Sequence, residues 1–225
     1  MSSARAILAS SRNRSLLRER RAGNTLRSVY RIDDAFVAKK FEFPCTARRV
    51  RRPWIAEDAA LKRLAGHGAP RSLGWFEESA GEHRVVWLVK EYVPGAPVER
   101  FTPADLPAAA RLLAAIHSRG VITDDAGPGN FIRTPDGEMK FLDFGRARIF
   151  RAGGLRLDLY IGWELAKLRR ESFLWAESLW QPFLPLYCVA LAACPRRRTL
   201  IRAACAVSVV LRMTRKTLQG KSPRS

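Results

Sequence analysis

Three groups of residues in this sequence carry side chains suited to phosphate and a divalent ion. Lys39 lies in FVAKKF, with Glu57 in the next predicted helix. Asp125 lies in GVITDDAGPGNFI, five positions before Asn130. Asp143 opens an Asp-Phe-Gly triplet in FLDFG, after a hydrophobic run. Carboxylate and amide oxygens are hard ligands of the kind magnesium prefers. A lysine held by a glutamate suits the negative oxygens of a phosphate. Each residue has a competing reading. Asp124 stands beside Asp125 and Lys40 beside Lys39. Strand alternation puts Lys39 on the face of Val37 and Phe41, which is expected to point inward. Glu57 sits one turn before Leu61 and two before Leu64, on a predicted buried stripe; the alternative is one more solvated helix charge. Asp143 is either a ligand or a turn aspartate.

The elements that must position these residues follow from pattern. Leu26–Ile32 and Ala35–Phe41 read as strands joined at Asp33-Asp34, a turn-favouring pair. Trp54 to Leu64 has apolar residues at helical spacing (Ile55, Ala59, Leu61, Leu64), and Gly66 closes it. Gly74–Glu77 and Val85–Tyr92 read as further strands, and VPGAPV breaks the pattern as a hinge does. Thr102-Pro103 followed by Asp105 resembles a helix start, with an alanine- and leucine-rich helix from Leu106 to His117. Gly120–Asn130 is loop, Phe131–Ile132 and Lys140–Leu142 are short strands around Pro135-Asp136-Gly137, and the remainder is mostly helical. Strands first and helices later predict an α+β arrangement.

The 225 residues suffice for a real core, and 47% hydrophobic residues exclude a disordered chain. Lys plus Arg number 40 against 21 Asp plus Glu, a net charge of +19, so an anionic partner is expected. No DNA- or RNA-binding motif accompanies that charge, and no nucleic-acid partner is expected. The four cysteines form no CxxC pair and read as buried small hydrophobes in a reducing compartment. The arginine-rich N-terminus lacks the apolar core of a secretory signal. The longest apolar stretch, Phe183 to Cys194, falls short of the roughly 18–20 residues of a membrane span. A cytoplasmic location follows.

In order and spacing these motifs resemble the protein-kinase superfamily over about residues 22–170: strand lysine with helix glutamate, D-x-x-x-x-N loop, then D-F-G. The resemblance implies a bilobal protein-kinase-like fold, with a small antiparallel β-sheet N-lobe and a mainly helical C-lobe. It implies a basic N-terminal extension at 1–21, an N-lobe at 22–92 and a C-lobe at 93–225. It also implies ATP and magnesium as cofactors. Asp143 and Asn130 would hold metal, Asp125 would take the acceptor hydroxyl's proton, and Lys39, locked by Glu57, would hold the α- and β-phosphates. Only Asp125 has the family's distance to Asn130. His117 is expected to pack behind the catalytic loop, and Asp158 either to hydrogen-bond that loop from below or to lie on the surface.

The sequence also departs from that pattern. RAGNTLRSVYRID offers one glycine, Gly23, where kinases have three, so nucleotide is either held more loosely or held by Asn24, Thr25 and nearby arginines. Gly127 and Gly129 stand where many kinases place a basic residue, and Arg146 or Arg148 is the candidate replacement. These changes keep a catalytically dead binding module as an alternative. Only about a dozen residues separate Gly145 from Asp158, too few for a peptide platform. With the DLY…ELAKLRR helix, this short segment most resembles the bacterial lipopolysaccharide kinases acting on Kdo or heptose of the inner core. A glycolipid or sugar acceptor follows, with a small protein kinase or aminoglycoside-type phosphotransferase as the runner-up. After Arg170, Trp175, Trp180 and Tyr187 accompany apolar runs flanked by arginines. That pattern suits peripheral contact with an anionic membrane, or helices completing the large lobe with a solvated basic face.

Overall fold

The computed structural model describes residues 3–47, 50–170 and 177–218. The chain divides into two compact units, Met1–Pro94 with Phe144–Arg146, and Gly95–Asp143 with Ala147–Ser225.

The first unit is an antiparallel sheet with a helix on each face. Its elements are α1 (Ser3–Ser10), β1 (Arg14–Ala22), β2 (Thr25–Ile32), β3 (Phe36–Pro44), α2 (Pro53–Leu64), β4 (Ser72–Ala80) and β5 (His83–Glu91), with strand order β1-β2-β3-β5-β4. Asp33 and Asp34, at φ +46° and +56°, make the left-handed turn between β2 and β3. Alternation along β3 splits its side chains between two cores. Ala38 joins Ile32 and Val89 against Ala4 and Leu8 of α1. Phe41 and Phe43 join Val86 and Leu88 against Trp54 of α2. Lys39 has the parity of Phe41 and so lies on the α2 face.

Two sequence expectations need revision here. The strand patterns begin at Leu26, yet α1 and β1 precede it. Every residue of β1, RSLLRERRA, is exposed, so this edge strand is defined by its pairing with β2 and carries no buried stripe of its own. In α2, Ile55 is 41% exposed while Glu57 and Asp58 are buried beside Leu61 and Leu64. Polar residues occupy the stripe because they have partners on the sheet.

The second unit is mainly helical. It contains β6 (Ala96–Pro97), α3 (Leu106–Ser118), β7 (Val121–Ile122), β8 (Phe131–Arg133), β9 (Met139–Phe141), β10 (Arg148–Ile149), α4 (Leu155–Leu168), α5 (Glu177–Ala190) and α6 (Pro195–Leu218). β6, β8 and β9 form one small sheet, and β7 pairs with β10. A capping box precedes α3: the backbone N–H and hydroxyl of Thr102 both donate to Asp105 Oδ2 at 2.7 Å. α3 packs on α5, and α4 on α6. A Cβ added at Gly162 would stand 2.5 Å from Ala204 Cβ, so only glycine allows this α4–α6 approach. Trp180, Phe183, Tyr187 and Ile201 are buried, so α5 and α6 complete the core of this unit; Trp175 lies outside the described residues. Of the cysteines, Cys188 and Cys205 are buried, and burial pushes the Cys205 thiol up to about 11. Cys45 and Cys194, expected inside, are exposed. No described helix is long and apolar enough to cross a membrane.

Candidate active site

In the first unit the predicted lysine–glutamate pair is formed. Lys39 Nζ lies 2.8 Å from Glu57 Oε2. Lys40, its competitor, points to the other face and pairs with Glu42 at 2.6 Å. Sequence reasoning missed a third member. Lys90 Nζ lies 2.7 Å from Glu57 Oε1, so each carboxylate oxygen receives its own ammonium. Glu57 is 1% exposed and Lys90 4%, so neither charge is tolerable alone. The available signal was a single lysine inside the apolar run VVWLVKEY. α2 is anchored a second time by Asp58, which accepts from Ser72 Oγ at 2.6 Å and pairs with Lys62 at 2.8 Å. Where a glycine-rich loop was sought, β1 and β2 join through Gly23 and Asn24 alone, with Ala22 opposite Thr25.

In the second unit Asp125 and Asn130 lie in the loop after β7, and Asn130 is tied to Leu142, which follows β9 and precedes Asp143. Asn130 Nδ2 donates to the Asp125 carbonyl at 2.7 Å, and Leu142 N donates to the Asn130 carbonyl at 2.9 Å. Asn130 thereby ties the loop to the residue preceding Asp143. Because its Nδ2 is engaged by Asp125, its Oδ1 is the atom left to accept or to ligate. Asp124 takes a left-handed conformation, φ +55°. Arg148 Nη2 reaches Asp124 Oδ2 at 3.4 Å, and its Nη1 donates to the Tyr160 hydroxyl at 3.1 Å.

The loop is held from beneath by α4, through residues that sequence reasoning did not select. Buried Glu164 accepts the Thr123 N–H at 3.1 Å and also the Thr123 hydroxyl. The Thr123 Oγ1 in turn accepts from Asp125 N at 3.3 Å. His117 packs behind the loop as expected, with Nε2 3.0 Å from Glu164 and Nδ1 2.7 Å from the Tyr187 hydroxyl. One turn beyond Glu164, Lys167 Nζ donates to the Asp124 carbonyl at 2.8 Å and to Asp125 Oδ1 at 3.1 Å. Asp158 plays neither anticipated part. It is buried and bonds Arg197 Nε at 2.7 Å, joining α4 to α6, while Glu164 supports the loop.

Residues 17–120 match the model of the phosphotransferase enzyme family. That span contains Lys39, Glu57 and Lys90 and stops before Asp125, Asn130 and Asp143. The chain is similar to serine/threonine-protein kinase PknA of Mycobacterium tuberculosis, 34% identical over 104 residues, covering 40% of this chain and 24% of that protein. It is also similar to the putative cyclin-dependent kinase F-2 of Oryza sativa subsp. japonica, 29% identical over 121 residues, covering 44% of this chain and 36% of that protein. The matches thus span a quarter to about a third of these curated relatives. An antiparallel N-terminal sheet followed by helices is a kinase-like α+β arrangement, and the proteins it is similar to are phosphotransferases and kinases.

Proposed function

We propose that this chain is an ATP- and magnesium-dependent phosphotransferase that moves the γ-phosphate to a hydroxyl, with Asp125 as base. The observation that carries the reading is the double role of Asn130, bonded to the Asp125 carbonyl and, through its own carbonyl, to Leu142 beside Asp143. The family match over the unit holding Lys39 and Glu57 supports it independently.

Asn130 Oδ1 and the Asp143 carboxylate are the hard oxygen donors that would hold magnesium. Among the described residues no group of three or more His, Cys, Asp or Glu side chains is placed to hold a metal. Two protein ligands fit an ion that keeps waters and phosphate oxygens in its shell. When bound, the ion neutralises phosphate charge. Lys39, oriented by Glu57, would hold the α- and β-phosphates. Asp125, 38% exposed on its side chain, is open enough to meet an acceptor hydroxyl. Its carboxylate takes the hydroxyl proton as the acceptor oxygen bonds phosphorus. The bond from phosphorus to the β,γ-bridging oxygen breaks, and ADP leaves with the electron pair.

The acceptor in this reading is a sugar hydroxyl, on the inner core of lipopolysaccharide. The support is the brevity of the segment after Asp143, where β10 begins at Arg148 and α4 at Leu155. A membrane-bound glycolipid also accords with the charge of +19 and with peripheral contact at the cytoplasmic membrane face. The protein-kinase names of the curated relatives favour a second reading, a serine or threonine acceptor. Radiolabelled ATP offered with purified lipopolysaccharide, casein and an aminoglycoside in parallel separates these acceptors. Label in lipopolysaccharide is expected, and label in casein alone overturns the sugar acceptor. Absence of any magnesium-dependent thermal stabilisation by ATP overturns the kinase reading and leaves a binding module.

A further inference from the structure

The catalytic loop has Gly127 two residues after Asp125 and contains no cation, yet Asp125 is not left without one. Lys167 reaches it from α4, more than forty positions along the chain. Its side chain is 13% exposed, and its bonds to Asp124 O and Asp125 Oδ1 grip both backbone and carboxylate of adjacent loop residues. Glu164, three positions earlier on the same helix face, holds Thr123. Thus α4 meets the segment Thr123-Asp124-Asp125 with an anionic arm for its N–H and hydroxyl donors and a cationic arm for its oxygens. Arg148, one of the two arginine candidates after Asp-Phe-Gly, is bonded to Asp124 and Tyr160.

We infer that Lys167 is the positioning residue for Asp125, a lysine supplied by α4 in place of one carried on the loop. The inference rests on the phosphotransferase reading above. An ammonium at 3.1 Å from Oδ1 restricts the orientation of the Asp125 carboxylate that takes the acceptor proton. The same ammonium offsets the negative charge that Asp125 adds beside a triphosphate.

The geometry also suggests how to move the cation. Gly127 has an extended conformation, φ −73° and ψ 153°, and a Cβ there meets nothing within 4 Å. A lysine at position 127 therefore fits the loop without backbone strain. The test compares wild type, K167M, K167R and the double variant K167M/G127K. Each is measured for magnesium-dependent phosphate release from ATP with water as acceptor, for the KM of ATP, and for melting temperature with and without ATP and magnesium.

K167M is expected to lose kcat about 100-fold, with the KM of ATP held within about twofold and stabilisation by nucleotide intact. Adding G127K is expected to recover at least about tenfold. Turnover of K167M within about threefold of wild type overturns the inference, as does a folded double variant no better than K167M. Should K167M not fold, K167R decides. Turnover within about tenfold of wild type supports a charge-borne role, and a 100-fold loss, roughly, in a folded K167R overturns it. Wild type without any ATP turnover overturns the phosphotransferase reading instead, and this inference with it.

Discussion

Glu57 and Glu164 are both buried glutamates projected from a helix toward a residue proposed to do chemistry, and they are answered in opposite ways. Glu57, on α2, receives two ammoniums, from Lys39 and Lys90. Glu164, on α4, receives a peptide N–H, a hydroxyl and an imidazole nitrogen. The first arrangement concentrates charge: it holds a cation at the end of a flexible stem and fixes few angles. The second sets direction, because an N–H and a hydroxyl on one residue fix that residue's backbone. A strand lysine proposed to meet phosphate needs the former. A loop aspartate that must face a hydroxyl needs the latter, with Lys167 adding the charge from the next turn of the same helix.

The contrast is sharpest when each carboxylate is removed. Glu57→Ala removes the buried carboxylate that Lys39 and Lys90 share, and about 3–5 kcal/mol of stability is expected to be lost in denaturant unfolding. Adding Lys90→Met should return part of that loss, since a buried ammonium that has lost the Glu57 carboxylate goes with it. A double variant no more stable than Glu57→Ala would show that packing, not charge, dominates there. Glu164→Ala leaves the Thr123 donors without their acceptor in a dry site, at roughly 1–3 kcal/mol. Its turnover should fall further than its stability, because the loop backbone loses its anchor. Equal stability losses in the two alanine variants would erase the distinction.

Gly162→Ala probes the platform that presents Glu164 and Lys167. With Ala204 Cβ 2.5 Å from the new methyl, α4 and α6 must separate, at about 1–3 kcal/mol by thermal unfolding. The smallest expected effect belongs to Asp105. The Arg133 guanidinium, at 2.7 Å from both carboxylate oxygens, holds its carboxyl down to about 2, with the Thr102 hydroxyl and N–H adding to the effect. A depressed pKa stabilises the fold above the unfolded value of about 3.9. That contribution, roughly 1–2 kcal/mol, is lost as pH falls from about 4 toward 2. Asp105→Asn should remove this part of the acid dependence, seen as a smaller drop in melting temperature between neutral pH and pH 2.

Local pattern settled much of this molecule. Four of the five sheet strands, α2 and α3 follow from alternation, helical spacing and turn residues, all properties of neighbours in sequence. Lys39 is distinguishable from Lys40 for the same reason, since a period of two assigns them to opposite faces. Asp125, Asn130 and Asp143 stand out through their order along one short stretch.

What pattern left open depends on groups far apart in the chain. β1 has no buried face, and only its ladder with β2 identifies it as a strand. Lys90 became a partner of Glu57 because β5 lies beside β3 in the sheet. Asp158 and Glu164 occupy one helix, and their separate fates were decided by which neighbour packs against each turn: α6 with Arg197 at the first, the loop with Thr123 at the second. Lys167 meets Asp125 for the same reason. Such pairings carry no periodic signature, because a hydrogen bond between distant residues constrains their positions in space and leaves their spacing in sequence free.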